Sequence, residues 1–325
     1  FIAAMVLPLG PQAFAQSTDL TMPMRTPDGH PDISGTFTFR TLTPYQRPSQ
    51  FEGQETLNAE TAAAFEASER TRQNRDLFDS VQGARSAGYQ PRSEGGVLSY
   101  NEFWYERGVD LTDDKRTSLV IDPPNGRLPA RTEEAQMAAR ERSAYRREHM
   151  YDSYENRSLM DRCIMGFNAG PPMSSGAYNN NVMIFQTADS VVILNEMVHN
   201  TRIIPIDGRA HGEIPQWSGH SRGRWEGETL VVETKNFFRE TSLGGSSKDT
   251  YLVERFRRLD PDTVMYEFTV EDANNFTAPW TATMPLRRTD GPLFEYACHE
   301  GNIGMEGIMA GARLKNTQAV TELPD

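Results

Sequence analysis

The sequence predicts a mainly β protein: an antiparallel β-barrel or sandwich of lipocalin-like type, with an N-terminal arm and two helices packed on it. Three observations predict it. From about residue 182 to 300 the chain is a succession of β-branched and aromatic runs separated by Gly, Asp, Asn and Pro turns. The separations are of hairpin length, which makes successive strands antiparallel neighbours. Helix-forming stretches are confined to 57–77 and 132–150, ahead of the β region. A meander of roughly nine strands tends to close on itself, because an open sheet leaves unpaired edges.

Taken in order, residues 1–15 are an apolar run ending in Ala13-Phe14-Ala15, the A-x-A pattern of a secretory leader cleaved after Ala15. Residues 16–50, rich in Pro, Thr and Asp, read as an extended arm with a turn cluster at Thr26 to Asp32. Asn58 can cap a helix that runs on through the good formers between Glu60 and Ala67. Residues 80–98 read as loop, Tyr100 to Tyr105 as an aromatic strand, and Arg116 to Asp122 as a strand stopped by Pro123-Pro124-Asn125-Gly126. Thr132 opens a second helix, and 165–181 is a Gly/Pro/Asn loop.

The β region follows: Val182 to Thr187, Val191 to His199, Arg202 to Ile206, a hairpin from Arg224 to Thr234, then Tyr251 to Arg258, Thr263 to Val270, Trp280 to Arg287 and Leu293 to His299. The layout is a leader remnant at 1–15, arm and helix at 16–98, a β domain at 99–313 with an inserted helix at 132–150, and a tail at 314–325.

The chain has 325 residues and a formal net charge of -12. No Lys/Arg-rich block offers phosphates a basic face, so nucleic acid is excluded as a partner. No segment after the leader has the ~20 apolar residues of a membrane span. The two cysteines, Cys163 and Cys298, are expected to form a disulfide in an oxidising compartment. Together with the leader they place the protein outside the cytoplasm, periplasmic or extracellular.

Five stretches together resemble a family of exported bacterial proteins: Ser99 to Trp104, Arg116 to Arg127 (RTSLVIDPPNGR), Tyr178 to Asn181, Gly219 to Phe237 (containing SRGRWEGETLVVET) and Tyr296 to Asn302 (YACHEGN). The resemblance covers about residues 25–313 and implies export and a single fold. It leaves the chemistry to the residues themselves. The family pattern has Asp where this chain has His220, so no general role attaches to His220.

Gly219-His220-Ser221-Arg222-Gly223 spells G-x-S-x-G, the pattern of a hydrolase nucleophile elbow. An elbow needs a strand before the serine and a helix after it. Here a hairpin follows, so a Gly-lined turn is the better reading and a Ser221-dependent esterase the poorer one. Elsewhere, Glu196 and His199 close the most hydrophobic strand, and His299 and Glu300 close the last one. Burial moves groups such as Glu196 and His199 toward a working pKa, and His299 with Glu300 at a strand-end rim makes an acid–base pair, so His199 and His299 are candidate proton-transfer groups with Glu196 and Glu300 orienting them. Arg202 is expected to pair with Glu196. Arg202 and Arg222 are candidates for holding an anionic substrate, and Trp217 and Tyr178 for lining its pocket.

No P-loop, dinucleotide fingerprint, EF-hand loop or H-E-x-x-H occurs, and the histidine spacing gives no metal-ligand pair, so no cofactor or metal is expected. The expectation is a small organic ligand or substrate in a barrel pocket, handled by acid–base chemistry as a lyase, isomerase or hydrolase. A non-catalytic ligand carrier is the alternative.

Overall fold

A computed structural model describes residues 24–74, 78–79, 84–85, 102–238 and 249–321. The leader and part of the 80–98 loop, with the start of the 100–105 segment, lie outside the described residues. The main elements in chain order are β1 (Gly35–Thr38), α1 (Ala59–Gln73), β2 (Val120–Asp122), α2 (Glu133–His149), β3 (Asn181–Gln186), β4 (Ser190–Asn195), β5 (Thr201–Pro205), β6 (His220–Glu226), β7 (Thr229–Lys235), β8 (Tyr251–Asp260), β9 (Thr263–Glu271), β10 (Trp280–Arg288) and α3 (Ile303–Thr321). A short two-stranded pair, Phe78–Asp79 with Ala84–Arg85, forms a sheet of its own.

The strands β1 to β10 belong to one antiparallel sheet, ordered β5-β4-β3-β1-β10-β9-β8-β7-β6, with β2 added against β10. The sheet curls into a nearly closed barrel. Along this order the strand directions alternate, so β5 and β6 run the same way where the ends meet, and no ladder joins them among the described residues. Side chains close this seam instead. A Cβ built on Gly223 of β6 would stand 2.8 Å from Ile206 and 3.0 Å from Ile204, so only glycine lets the two edges approach this closely.

The alternation predicted for the strands places their inward residues in one core. Val182, Ile193, Ile204, Val232, Leu252, Phe256, Tyr266 and Leu286 each have 0% accessible surface. Side chains without accessible surface leave no water-sized void against them, so the lumen is packed like a protein interior. The barrel is the expected one, but its middle is filled, and a ligand site must be sought at an end or outside.

Both ends are stopped. At one end the arm folds over the strand ends: Ile33 enters the core, its N–H donates to Gln186 Oε1 at 3.1 Å, and His30 stacks on Trp225 at 5.4 Å. At the other, where β3, β5, β6, β8 and β10 begin, the loop 165–180 inserts Met173, which is fully buried. The helices form on ordinary local signals. The side chain of Asn58 accepts from Thr61 N at the start of α1, and that of Thr132 from Ala135 N at the start of α2.

The structure departs from the expected layout in five places. Residues 35–38 are a strand rather than free arm: β1 lies between β3 and β10, where its four residues close the gap in the wall. The strand expected to run to His199 ends at Asn195. Leu293 to His299 forms no ladder with a described strand, and the aromatic segment before Tyr105 makes a 3-10 turn at Glu102–Trp104. Residues 303–321 form α3, which the glycines at 304, 307 and 311 hide by their poor helix propensity.

Candidate functional site

The plugged end of the barrel gathers most of the polar residues singled out in the sequence. The turn from β4 to β5 is its centre. Val198 has φ 56° and ψ 25°, and His199 has φ 39°. The left-handed region is costly for a β-branched residue, and such strain persists only where the surroundings impose it. Here Met197 and Val198 are buried against Cys163, Ala169 and Tyr178, which fixes the turn from beneath.

Within this turn Glu196 is 4% exposed. Its Oε2 accepts from Asn181 Nδ2 at 2.7 Å and its Oε1 from Phe294 N at 3.4 Å. Burial pushes its pKa above the usual carboxylate range, and the negative charge of Glu106 pushes the same way. The amides of Asn181 and Asn179 and the Phe294 N–H oppose this by favouring the ionised form. Asn179 also ties in Glu106, whose Oε2 accepts from its backbone N–H at 3.2 Å.

Cys163 and Cys298 are joined in a disulfide with Cα atoms 5.6 Å apart. The bond draws the C-terminal segment 293–302 across the plugged end. His299, the next residue, thereby reaches the turn: its ring centroid lies 6.0 Å from that of His199. Both histidines are exposed, as is Glu300. Tyr178 packs edge-on against Phe167 at 5.4 Å and against Tyr105 at 6.4 Å. Trp217 stacks on Phe238 at 4.7 Å, and the guanidinium of Arg162, beside the disulfide, lies 5.7 Å from its ring.

Two arginines fall elsewhere. Arg202 does not meet Glu196. It points into the barrel and pairs with Glu254 of β8, Nη1 to Oε2 at 2.7 Å and Nη2 to Oε1 at 2.9 Å. Alternation sends its side chain to the inner face with Ile193 opposite, whereas Glu196 lies past the end of β4. With its charge spent in the core, Arg202 is not placed to hold a substrate. Arg222 lies on β6 over the 207–212 loop, donating to the carbonyls of Ala210 at 3.1 Å and Ser221 at 2.9 Å.

Ser221 is not at a turn. Gly219, with φ 66°, makes the bend, and Ser221 sits in β6, buried, with its hydroxyl 2.9 Å from that of Thr234. No helix follows it, so the geometry of a nucleophile elbow is missing. A second histidine pair lies at the start of the same strand: His211 and His220 have ring centroids 5.6 Å apart, and burial, with Arg222 and His211 nearby, holds the His220 pKa down. Among the described residues no three His, Cys, Asp or Glu side chains group as a metal site.

The residues that sequence reasoning passed over are Asn179, Asn181 and Glu106 around Glu196, and Glu254 with Tyr266 in the core. The run Asn179-Asn180-Asn181 was a usable signal, since three amides in a loop are there to satisfy something polar. Glu254, between Leu252 and Phe256 at the inward phase of its strand, was another.

No protein-family model matches this sequence, and no curated protein matches it. Among solved structures, the chain is similar to a mutant form of the fluorescent protein UnaG. The two are 15% identical, over 41% of this chain and 86% of that one, with a TM-score of 0.24. A likeness at that level carries no inference about ligand or mechanism.

Proposed function

We propose that this is an exported protein that binds a small organic molecule at the plugged end of its barrel and acts on it by proton transfer, as a lyase, isomerase or hydrolase. One observation carries the reading: His199 and His299, 100 positions apart in sequence, have ring centroids 6.0 Å apart at the turn that also carries Glu196, a buried carboxylate whose affinity for a proton is raised. Imidazole is the side chain most often used for general acid–base work, and a carboxyl group with a raised pKa is a better proton donor than an ordinary one. In this reading Glu196 contributes a carboxyl group of raised proton affinity, His199 and His299 exchange a proton with the ligand, and Glu300 orients His299. Tyr178 and Trp217 supply apolar walls. Export is supported by the disulfide, which suits an oxidising compartment. Among the described residues no helix is long and apolar enough to cross a membrane.

The alternative of a passive carrier with its ligand inside the lumen is disfavoured by the packed interior. The test begins with mass spectrometry of small molecules that co-purify with the protein, followed by turnover assays on them. Replacing either histidine by Ala is expected to lower turnover by about 10²–10⁴-fold with a folded protein retained. Full turnover in both His199→Ala and His299→Ala would end the assignment.

A further inference from the structure

Outside the barrel a groove of about 680 Å³ runs between the C-terminal turn of α1, the arm at 41–45 and the loop at 175–177. Its volume falls in the range of small-molecule sites. None of Glu196, His199 or His299 lines it. One wall is apolar, with Leu42, Leu119 and Ala177. Tyr45 continues that wall, its ring edge-on to Trp280 at 6.1 Å, and burial raises its pKa, which keeps the hydroxyl a donor.

The other wall carries two guanidinium groups. In a chain of formal net charge -12 the charged residues lining the groove are Arg72, Arg107 and a single acid, Glu69. Arg72 is engaged with that acid through Nε at 3.0 Å and Nη2 at 2.6 Å. Arg107 differs. Its guanidinium lies 3.8 Å over the Tyr105 ring, its side chain is 14% exposed, and all its hydrogen bonds to described residues use Nη1: to the Glu102 carboxylate at 3.0 and 2.9 Å and to Gln73 O at 3.0 Å. The Nε–Nη2 edge makes no hydrogen bond to a described residue. Two parallel N–H donors on one edge of a planar, mostly desolvated guanidinium match a carboxylate in bidentate fashion. Gly108, next in sequence, holds this wall close to the arm: a Cβ there would come within 2.2 Å of the Thr41 carbonyl carbon.

We propose that this groove binds a small organic acid, with its carboxylate on the Nε–Nη2 edge of Arg107 and its apolar body against Leu42, Leu119 and Tyr45. The site is separate from the one proposed for proton transfer and stands or falls without it.

Calorimetric titration of the full chain with benzoate, and with benzamide as its neutral counterpart, tests the proposal. Benzoate is expected to bind, more tightly than benzamide and less tightly as salt is raised. Arg107→Gln and Arg107→Lys are each expected to weaken benzoate by about tenfold or more, since Lys keeps the charge but loses the fork. His199→Ala is expected to leave benzoate binding unchanged, which separates this groove from the histidine site. Because Arg107 also anchors Glu102, amide shifts of Gly108 and Ala177 in the unaltered protein give a readout that needs no variant. Benzoate binding that is absent, no tighter than benzamide, or unaffected in a folded Arg107→Lys variant overturns the proposal, as does benzoate leaving both amides unmoved.

Discussion

Arg202 on β5 grips Glu254 on β8 across the packed interior of the barrel, through two side-by-side bonds of 2.7 and 2.9 Å. The Tyr266 hydroxyl donates to the same carboxylate at 2.7 Å, and Met173 of the plug donates its N–H to that hydroxyl at 3.1 Å. Burial works to lower the Arg202 pKa, but the Glu254 charge, its hydrogen bonds and Tyr266 together outweigh it and hold the guanidinium above its usual range. Burial, reinforced by the same carboxylate, drives Tyr266 upward. One network therefore links the wall, the core and the plug.

Breaking that pair from one side strands a charge in the core. Glu254→Gln is expected to destabilise the protein by about 3–5 kcal/mol in urea unfolding. The double replacement Arg202→Met with Glu254→Leu is expected to be far milder, because no charge is left behind. A single replacement costing under about 1 kcal/mol would mean that the pair is solvated, contrary to its burial.

The raised pKa of Glu196 fixes the sign of a pH effect. The folded state keeps this proton to a higher pH than the unfolded chain, whose carboxyl titrates at about 4.3. Between the unfolded and folded pKa values the native state therefore binds more protons, and stability is lost as pH rises through that window. Unfolding free energies measured from about pH 4 to 7 are expected to fall more steeply for the unaltered protein than for Glu196→Gln. Parallel profiles would remove Glu196 as the source.

The disulfide spans 135 residues. Replacing Cys163 and Cys298 together by Ser is expected to cost about 4–5 kcal/mol in the chain-entropy account. The same change releases the segment that carries His299, so the ring signals of His199 should stop responding to His299→Ala in NMR titrations. Retained coupling would show that the segment is held by its other contacts.

Ser221→Ala removes a hydroxyl bond to Thr234 inside the barrel wall. A loss of about 1 kcal/mol in stability is expected, with any ester hydrolysis unchanged. A drop of about a thousandfold in hydrolysis would reinstate the serine as a nucleophile.

Much of the wall was legible because a strand's period of two is written directly in residue order. Tyr251 to Arg258 and Thr263 to Val270 alternate inward and outward much as read. β1 was passed over although Thr36-Phe37-Thr38 alternates polar and apolar strand formers, because so short a run does not stand out within an arm rich in Pro, Thr and Asp; β3 and β10 pair with it on either side. His199 and His299 could be named as candidates from their strand-end positions and the neighbouring cysteine. The partner of Arg202 could not, because Glu196 and Glu254 are equal choices until the topology puts β8 across the lumen from β5.

By itself the sequence determined the antiparallel β class, the hairpins and the candidate cysteine pair, all of which rest on short-range spacing or on a count of two. Only the tertiary structure decided that the lumen is packed, that Arg202 belongs to Glu254, and that His199 lies beside His299. Those are contacts between residues far apart in the chain, set by barrel closure and by burial, and neither is encoded in any local stretch of residues.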